Sequence, residues 1–385
     1  MPIGVIDMVL LAAAAQGLFL TVLIFHKHRA LYANRFLGAL IFLYSCMLLH
    51  LIAYDLGWYG SHQVLIPLVV GFAFNMGPLH YFYVRHLSKP GRRFMRWEWI
   101  HFTAFLAFYA VCVEAYSFHG GRLFGIMGEV MGISAGMVLL NWILMAQAGV
   151  YMILSLRILR PYEAAIRSEF STIDRVKLDW LRDITVMVLA FLGVFFIENT
   201  LLLAGVNLSH YFNLTSVLMA VYVYAIGYLG LFKSEVFENP STAASIRRML
   251  PSMAGGSAGA GGEKYGKSGL SEEKAESCLK SLLRLMETER PFTDPDLTLA
   301  GLAEKLGVTQ HNLSEVINTR TGQTFFDFIN KYRVECVAEG LRDPEKRNLK
   351  LLALALEAGF NSKSSFNAIF KRFTGRTPSD YRRQA

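Results

Sequence analysis

The segment LKLLALALEAGFNSKSSFNAIFKRFTGRTPSDYR, residues Leu349–Arg382, decides how the C-terminal part of the chain is read. Leu349 to Ala358 has the spacing of a short helix, Gly359 supplies a tight turn, and Ser362 stands where an N-cap serves a second helix. Phe366, Ile369 and Phe370 recur at helical spacing and form the apolar side of that helix. Helix, glycine turn and capped helix make a helix-turn-helix plan. One such hairpin says little, because many helical pairs produce it. Here the pattern occurs twice. Upstream, Leu299 to Leu306 presents Leu299, Leu302, Ala303 and Leu306 on one face, Gly307 turns the chain, and Thr309 caps a helix bearing Leu313, Val316 and Ile317. Between the units, Thr324 caps a helix from Phe325 to Leu341 that stops before Pro344, and ahead of both Leu279, Leu282, Leu283 and Met286 make a further apolar stripe bounded by Pro291.

Two units joined by one helix can set two reading helices into successive major grooves, about 34 Å apart. Charge agrees with that use. Residues 271–385 carry a nearly balanced charge, yet Gly359 to Ala385 holds Lys363, Lys371, Arg372, Arg376, Arg382 and Arg383 against Asp380 alone. Such a local basic surface suits phosphates, whose neutralisation makes affinity depend on salt.

The rest of the chain is of a different kind. Of 385 residues 53% are apolar and only 18% charged, too apolar for an ordinary soluble chain. The apolar residues crowd into the first 232 positions. Seven stretches there reach the roughly 20 residues that a 30 Å hydrocarbon layer requires: Gly4 to Phe25, Phe36 to Tyr54, Val64 to Val84, Trp99 to Phe118, Val130 to Leu156, Ile184 to Ala204 and Phe212 to Phe232. No Lys or Arg precedes the first, so it reads as an uncleaved span and not a signal peptide. Lys and Arg crowd the loops after spans one, three and five, while Arg122 alone stands on the other side. This predicts an outside N-terminus and a cytoplasmic C-terminal domain.

Asp7, His50, Glu114, Glu198 and Asn199 lie within spans, where polar groups need a partner, water or a ligand. All five fall in the outer halves of their spans, which suggests an outward pocket for a signal; interhelical hydrogen bonding is the other reading. Asn75 to Pro78 interrupt span three as a hinge, a binding break or a plain packing kink. From Lys233 to Gly269 the chain turns to Gly, Ser and Ala, a flexible tether with a root-mean-square reach of roughly 35 Å. Cys46, Cys112, Cys278 and Cys336 stand far apart without metal-ligand spacing and read as ordinary buried thiols. There is no HExxH, GxSxG or phosphate loop, so neither enzymatic chemistry nor a cofactor or metal is expected.

The stretch Ala358 to Asn367, followed by Phe370-Lys371 and Gly375 to Arg382, resembles the C-terminal signature of the AraC/XylS family of bacterial transcription regulators. Leu313-Ser314, Val316 to Asn318, Gly322 and Phe325 to Asn330 are similar to that family's first unit, and the likeness spans Leu297 to Arg382. The N-terminal part is similar to the seven-span sensors fused to such domains, with Gly77 to Leu79 and Tyr81 to Arg85 resembling their third span. The resemblance implies base contacts from Gln310, His311, Asn312 and Ser314 in the first unit and from Lys363, Ser364 and Asn367 in the second. Ser362, Lys371, Arg372 and Arg376 would meet phosphates; Leu302, Leu313, Phe360, Phe366, Phe370 and Pro378 would be core. Glu315 and Ala368 depart from the family, whose members often carry basic or polar residues there.

The expected fold is therefore all-α: a seven-helix transmembrane sensor bundle over 1–232, a linker over 233–269 and a cytoplasmic double helix-turn-helix DNA-binding domain over 270–385. The expected protein is a one-component regulator, multi-pass in a bacterial inner membrane. Its expected partners are the lipid bilayer, promoter DNA, an unknown small-molecule or membrane signal, RNA polymerase by the resemblance, and a second copy of itself. The alternative is a transporter or membrane enzyme with a regulatory cytoplasmic helical domain.

Overall fold

The computed structural model describes residues 4–27, 31–58, 69–89, 92, 94–110, 133–174, 176–204, 206, 214–234, 271–346 and 348–384. Residues 235–269 of the expected linker lie outside them. Among the described residues the regular elements are helical, with one isolated antiparallel bridge between Phe170 and Thr298. The chain divides into two compact units: Met1–Arg160 with Leu178–Arg247, and Pro161–Lys177 with Arg248–Ala385. The two units are therefore not continuous in sequence, since Pro161–Lys177 groups with the C-terminal one.

The first unit contains α1 (Val5–Lys27), α2 (Ala33–Asp55), α3 (Ala73–Ser88), most of α4 (Ile133–Glu169), α5 (Asp179–Leu203) and α6 (Leu214–Ser234). Helix α1 packs on α2 and α6, α2 also on α3 and α6, and α5 on α6. Four helical stretches are long and apolar enough to cross a membrane: Val5–His26, Ala33–Ala53, Val138–Glu169 and Asp179–Leu201; Thr215–Gly230 is a shorter apolar helix. Large apolar side chains such as Phe19, Val22, Val150, Phe196, Ile197 and Tyr228 face outward. A helix apolar on its outer side as well as its inner one does not suit a water-facing surface.

The expected interruption at Asn75 to Pro78 is absorbed without a break, because α3 runs through it. Pro78 has no N–H to give the carbonyl of Phe74 one turn back. Gln147 Nε2 of α4 donates to that oxygen instead, at 3.1 Å. Gly77 lets the same two helices close up, since a Cβ there would lie 3.0 Å from Tyr151 Cδ2. The motif lies in a packing seam between α3 and α4.

The second unit contains α7 (Glu272–Thr288), α8 (Leu299–Lys305), α9 (Gln310–Val316), α10 (Phe325–Arg342), α11 (Leu351–Glu357), α12 (Lys363–Thr374) and α13 (Pro378–Gln384). Thr298, Thr309, Thr324 and Ser362 each accept a backbone N–H of the first turn that follows, the local chemistry that starts these helices. Helix α10 is central and touches α11, α12 and α13. Leu302, Leu313, Phe360, Phe366, Phe370 and Pro378 are buried, as expected of core. On α7 the buried residues are Ala275, Leu282 and Met286, while Leu283 is exposed. The stripe is therefore turned away from the expected Leu279/Leu283 edge.

Arg333 lies in the middle of the buried side of α10, between Ile329 and Val337, and is 1% exposed. Its Nε donates to Phe292 O at 2.7 Å and its Nη2 to Asp294 O at 2.7 Å and Ser171 Oγ at 3.0 Å. Its Nη1 donates to Ser171 O at 3.1 Å and Thr172 Oγ1 at 3.0 Å. Asn330 Nδ2 adds a bond to Ser171 O at 2.9 Å, and Ser171 N donates to Leu297 O at 3.2 Å. Pro161–Lys177 is thus held by the interior of the second unit. Burial pushes the guanidinium down to about 10, opposed by the carboxylates of Asp294 and Asp296, so it stays charged at neutral pH.

Gly359 has φ +92°, and a Cβ there would lie 2.4 Å from Phe292 O and 2.9 Å from the Thr293 carbonyl carbon. Gly307 has φ +67° and open space around it. Gly359→Ala should therefore destabilise the second unit by more than about 3 kcal/mol and Gly307→Ala by only about 1 to 2, measured by pulse proteolysis across a urea series. Arg333→Met should cost about 3 kcal/mol or more by orphaning buried carbonyls, and trypsin should then cut after Arg167 and Lys177 faster than in the parent protein.

Candidate nucleic-acid interface

The two hairpins take shape from residues local to each. In the first, α8 ends at Gly307 and Thr309 Oγ1 accepts from Asn312 N at 3.2 Å to start α9. Helix α9 passes into a π turn, Ile317–Thr321, which Gly322 ends at φ +67°. In the second, α11 ends at Gly359 and Ser362 Oγ accepts from Ser365 N at 3.2 Å to start α12.

Helix α12 buries Phe366, Ile369 and Phe370. Lys363, Asn367 and Lys371, four residues apart along the helix, are exposed together on another side, and Ser364 is exposed beside them. The lysines form no ion pair among the described residues. A basic stripe beside a buried phenylalanine face can enter a groove without disturbing the fold. Arg372 is engaged elsewhere: Nη2 donates to Asp327 Oδ1 at 2.5 Å, and the guanidinium lies over Phe326 and Phe373, 5.6 Å and 4.9 Å from the ring centroids. This pair is partly exposed and worth at most about 1 kcal/mol, so a phosphate can replace it. Arg376 Nη1 donates to Gln384 Oε1.

On α9 only His311 is exposed; Gln310, Asn312, Ser314 and Glu315 are half-buried. Ser314 Oγ accepts from Asn318 Nδ2 at 3.3 Å. Two of the expected contact residues are bonded to Pro161–Lys177. Gln310 Nε2 donates to Glu169 Oε2, and Ser362 Oγ donates to Asp174 Oδ2 at 2.9 Å. Glu169 is itself buried at 2% exposure. Sequence reading missed this segment, and Arg333 with it. The available signal was a charged residue at a position of α10 that the spacing from Phe325 and Ile329 marks as buried.

Of the five polar residues expected to form a signal pocket, Asp7, Glu198 and Asn199 have hydrogen-bond partners. Asp7 Oδ2 accepts from Gly4 N at 2.9 Å, Glu198 accepts from Thr215 Oγ1, and Asn199 Oδ1 accepts from Asn141 Nδ2 at 2.7 Å. His50 is buried, and Glu114 lies outside the described residues. A cavity of about 250 Å³ in the same unit is lined by apolar side chains with Tyr44 and Tyr222, and none of the five lines it. Cys46, Cys278 and Cys336 are free and half-buried, and burial pushes the Cys278 and Cys336 thiols up; Cys112 lies outside the described residues.

Comparison with known proteins agrees with the geometry of the second unit. A family described as a helix-turn-helix domain matches residues 302–384. Regulatory protein SoxS of Escherichia coli K12 is 34% identical over 89 residues, 23% of this chain and 80% of that protein. SoxS of Salmonella typhimurium is 32% identical over 98 residues, 26% of this chain and 89% of that protein. An AraC-like transcription regulator of Streptomyces lividans is 31% identical over 86 residues, 22% of this chain and 27% of that protein. No solved structure matches the chain. By its C-terminal unit, the chain belongs to the AraC family of helix-turn-helix transcription regulators.

Proposed function

We propose that this protein is a membrane-anchored, one-component transcription regulator. Its N-terminal unit crosses a bacterial inner membrane seven times with the N-terminus outside, receives a signal, and controls promoter binding by the cytoplasmic helix-turn-helix domain. One observation carries the reading: the exposed Lys363, Asn367, Lys371 stripe on the capped helix α12 belongs to a chain that also has four membrane-length apolar helices. The orientation rests on the basic loops after spans one, three and five. Base reading falls to Gln310, His311, Asn312, Ser314, Lys363, Ser364 and Asn367, and phosphate contact to Ser362, Lys371, Arg372 and Arg376. RNA polymerase is the partner that transcription regulation requires, and a second copy of the chain would bring two more reading helices to the same promoter.

Genome-wide DNA occupancy of the tagged full-length protein tests this reading. Discrete peaks are expected for the parent and none for a Lys363→Ala, Asn367→Ala double variant; peaks that survive in the variant would refute the assignment of α12. On a site so identified, Lys371→Ala should weaken binding about equally for all sequences and lower the slope of affinity against salt by about 1.

A further inference from the structure

The segment Pro161–Lys177 engages both helix-turn-helix units at once. Glu169 takes the side-chain amide of Gln310 at the start of α9, and Asp174 takes the hydroxyl of Ser362 at the start of α12, at 2.9 Å for the second pair. We propose that the two carboxylates of this segment are intramolecular competitors of DNA, and that DNA engages both reading helices only after Glu169 and Asp174 have let go of them. The proposal rests on the DNA-binding reading given above.

A serine hydroxyl has one hydrogen to donate, and Ser362 spends it on a carboxylate. That carboxylate, also paired with Lys177 Nζ at 3.8 Å, is bonded to the N-cap residue of the twelve-residue helix α12, an end whose amides and dipole favour an anion. A DNA phosphate seeking the same place meets a negative charge already there. In the other unit the Gln310 amide, which could otherwise donate to a base edge, is directed at Glu169. The segment is fixed in this position by Ser171 and Thr172, bonded to Arg333, and by the antiparallel bridge between Phe170 and Thr298. Glu169 is also the last residue of α4, whose stretch Val138–Glu169 is long and apolar enough to cross a membrane. Sliding that helix along its axis by a single residue moves its end by about 1.5 Å, enough to break a hydrogen bond. A change in the membrane region thereby has a direct covalent route to the reading helices.

The experiment uses the full-length protein in lipid nanodiscs and duplexes selected from a randomised pool. One variant, the release variant, removes both contacts with the reading helices, Glu169→Ala with Asp174→Ala. A second locks the segment, Phe170→Cys with Thr298→Cys. Residues facing each other across an antiparallel bridge have Cα atoms about 4.5 to 5.5 Å apart, within the span of a disulfide. Neither position is assigned to DNA, and any cost of losing the Thr298 cap is common to the oxidised and reduced forms. Parent protein under the same oxidant controls for the native thiols. The release variant should bind about tenfold to a hundredfold more tightly than the parent, the effect of removing hydrogen bonds to charged groups. The oxidised lock should bind no duplex, and reductant should restore parental binding. Cysteines that do not pair, a locked form that binds as well as its reduced form, or a release variant no tighter than the parent would each overturn the proposal. Silence from every protein, the release variant included, would instead defeat the DNA-binding reading, and the proposal with it.

Discussion

The five N–H groups of Arg333 impose the strictest condition on the second unit. Each is spent on an oxygen, two of them backbone carbonyls after α7 and three of them supplied by Ser171 and Thr172. Among the described residues no carboxylate bonds to the guanidinium; Asp294 and Asp296 act on it through their fields. A buried charge is tolerable only when its donors are satisfied, and removing part of such a network costs more than the removed bonds are worth alone. Three separate segments must therefore be in place together: the turn at Phe292–Asp294, helix α10 and the strap from residue 161 to 177. Gly359 depends on the same arrangement, because its missing side chain makes room for the Phe292 carbonyl that Arg333 holds.

Around this fixed centre the two hairpins are unequal. The second has a twelve-residue helix with Lys371 and Arg372 in its last turn, while the first has a seven-residue helix with Glu315 within it and a π turn after it. Phosphate contacts position a protein on DNA and base contacts select the sequence. The chemistry divides along those lines: cations gather on α12, and neutral hydrogen-bonding side chains gather on α9.

What the sequence revealed was what neighbouring residues determine. Thr309, Thr324 and Ser362 were recognisable as caps because a cap bonds to an amide three residues away. Gly307 and Gly359 were recognisable as turns for the same reason. The hidden features depend on residues far along the chain. Nothing near Pro78 announces that Gln147 will take the carbonyl it frees, and nothing near Asn199 announces Asn141. The apolar stripe of α7 was misjudged at Leu283 because several leucines offered nearly equivalent faces and only packing chose among them. Arg333 stood at a position marked as buried, but its partners at Ser171 and Thr172 could not be read from any local pattern.

The distance between Ser171 and Arg333 also sets an order of events in time. They are 162 residues apart in the chain. At the usual pace of translation, the segment exists for on the order of ten to thirty seconds before its partner has been made. An apolar strap would spend that interval exposed and prone to aggregate. This one carries Arg167, Ser168, Glu169, Ser171, Thr172, Asp174 and Lys177, which water solvates as well as the finished protein does. Its polarity lets it wait in solvent until α10 appears, so the same hydrogen-bonding groups serve the nascent chain first and the buried network afterwards.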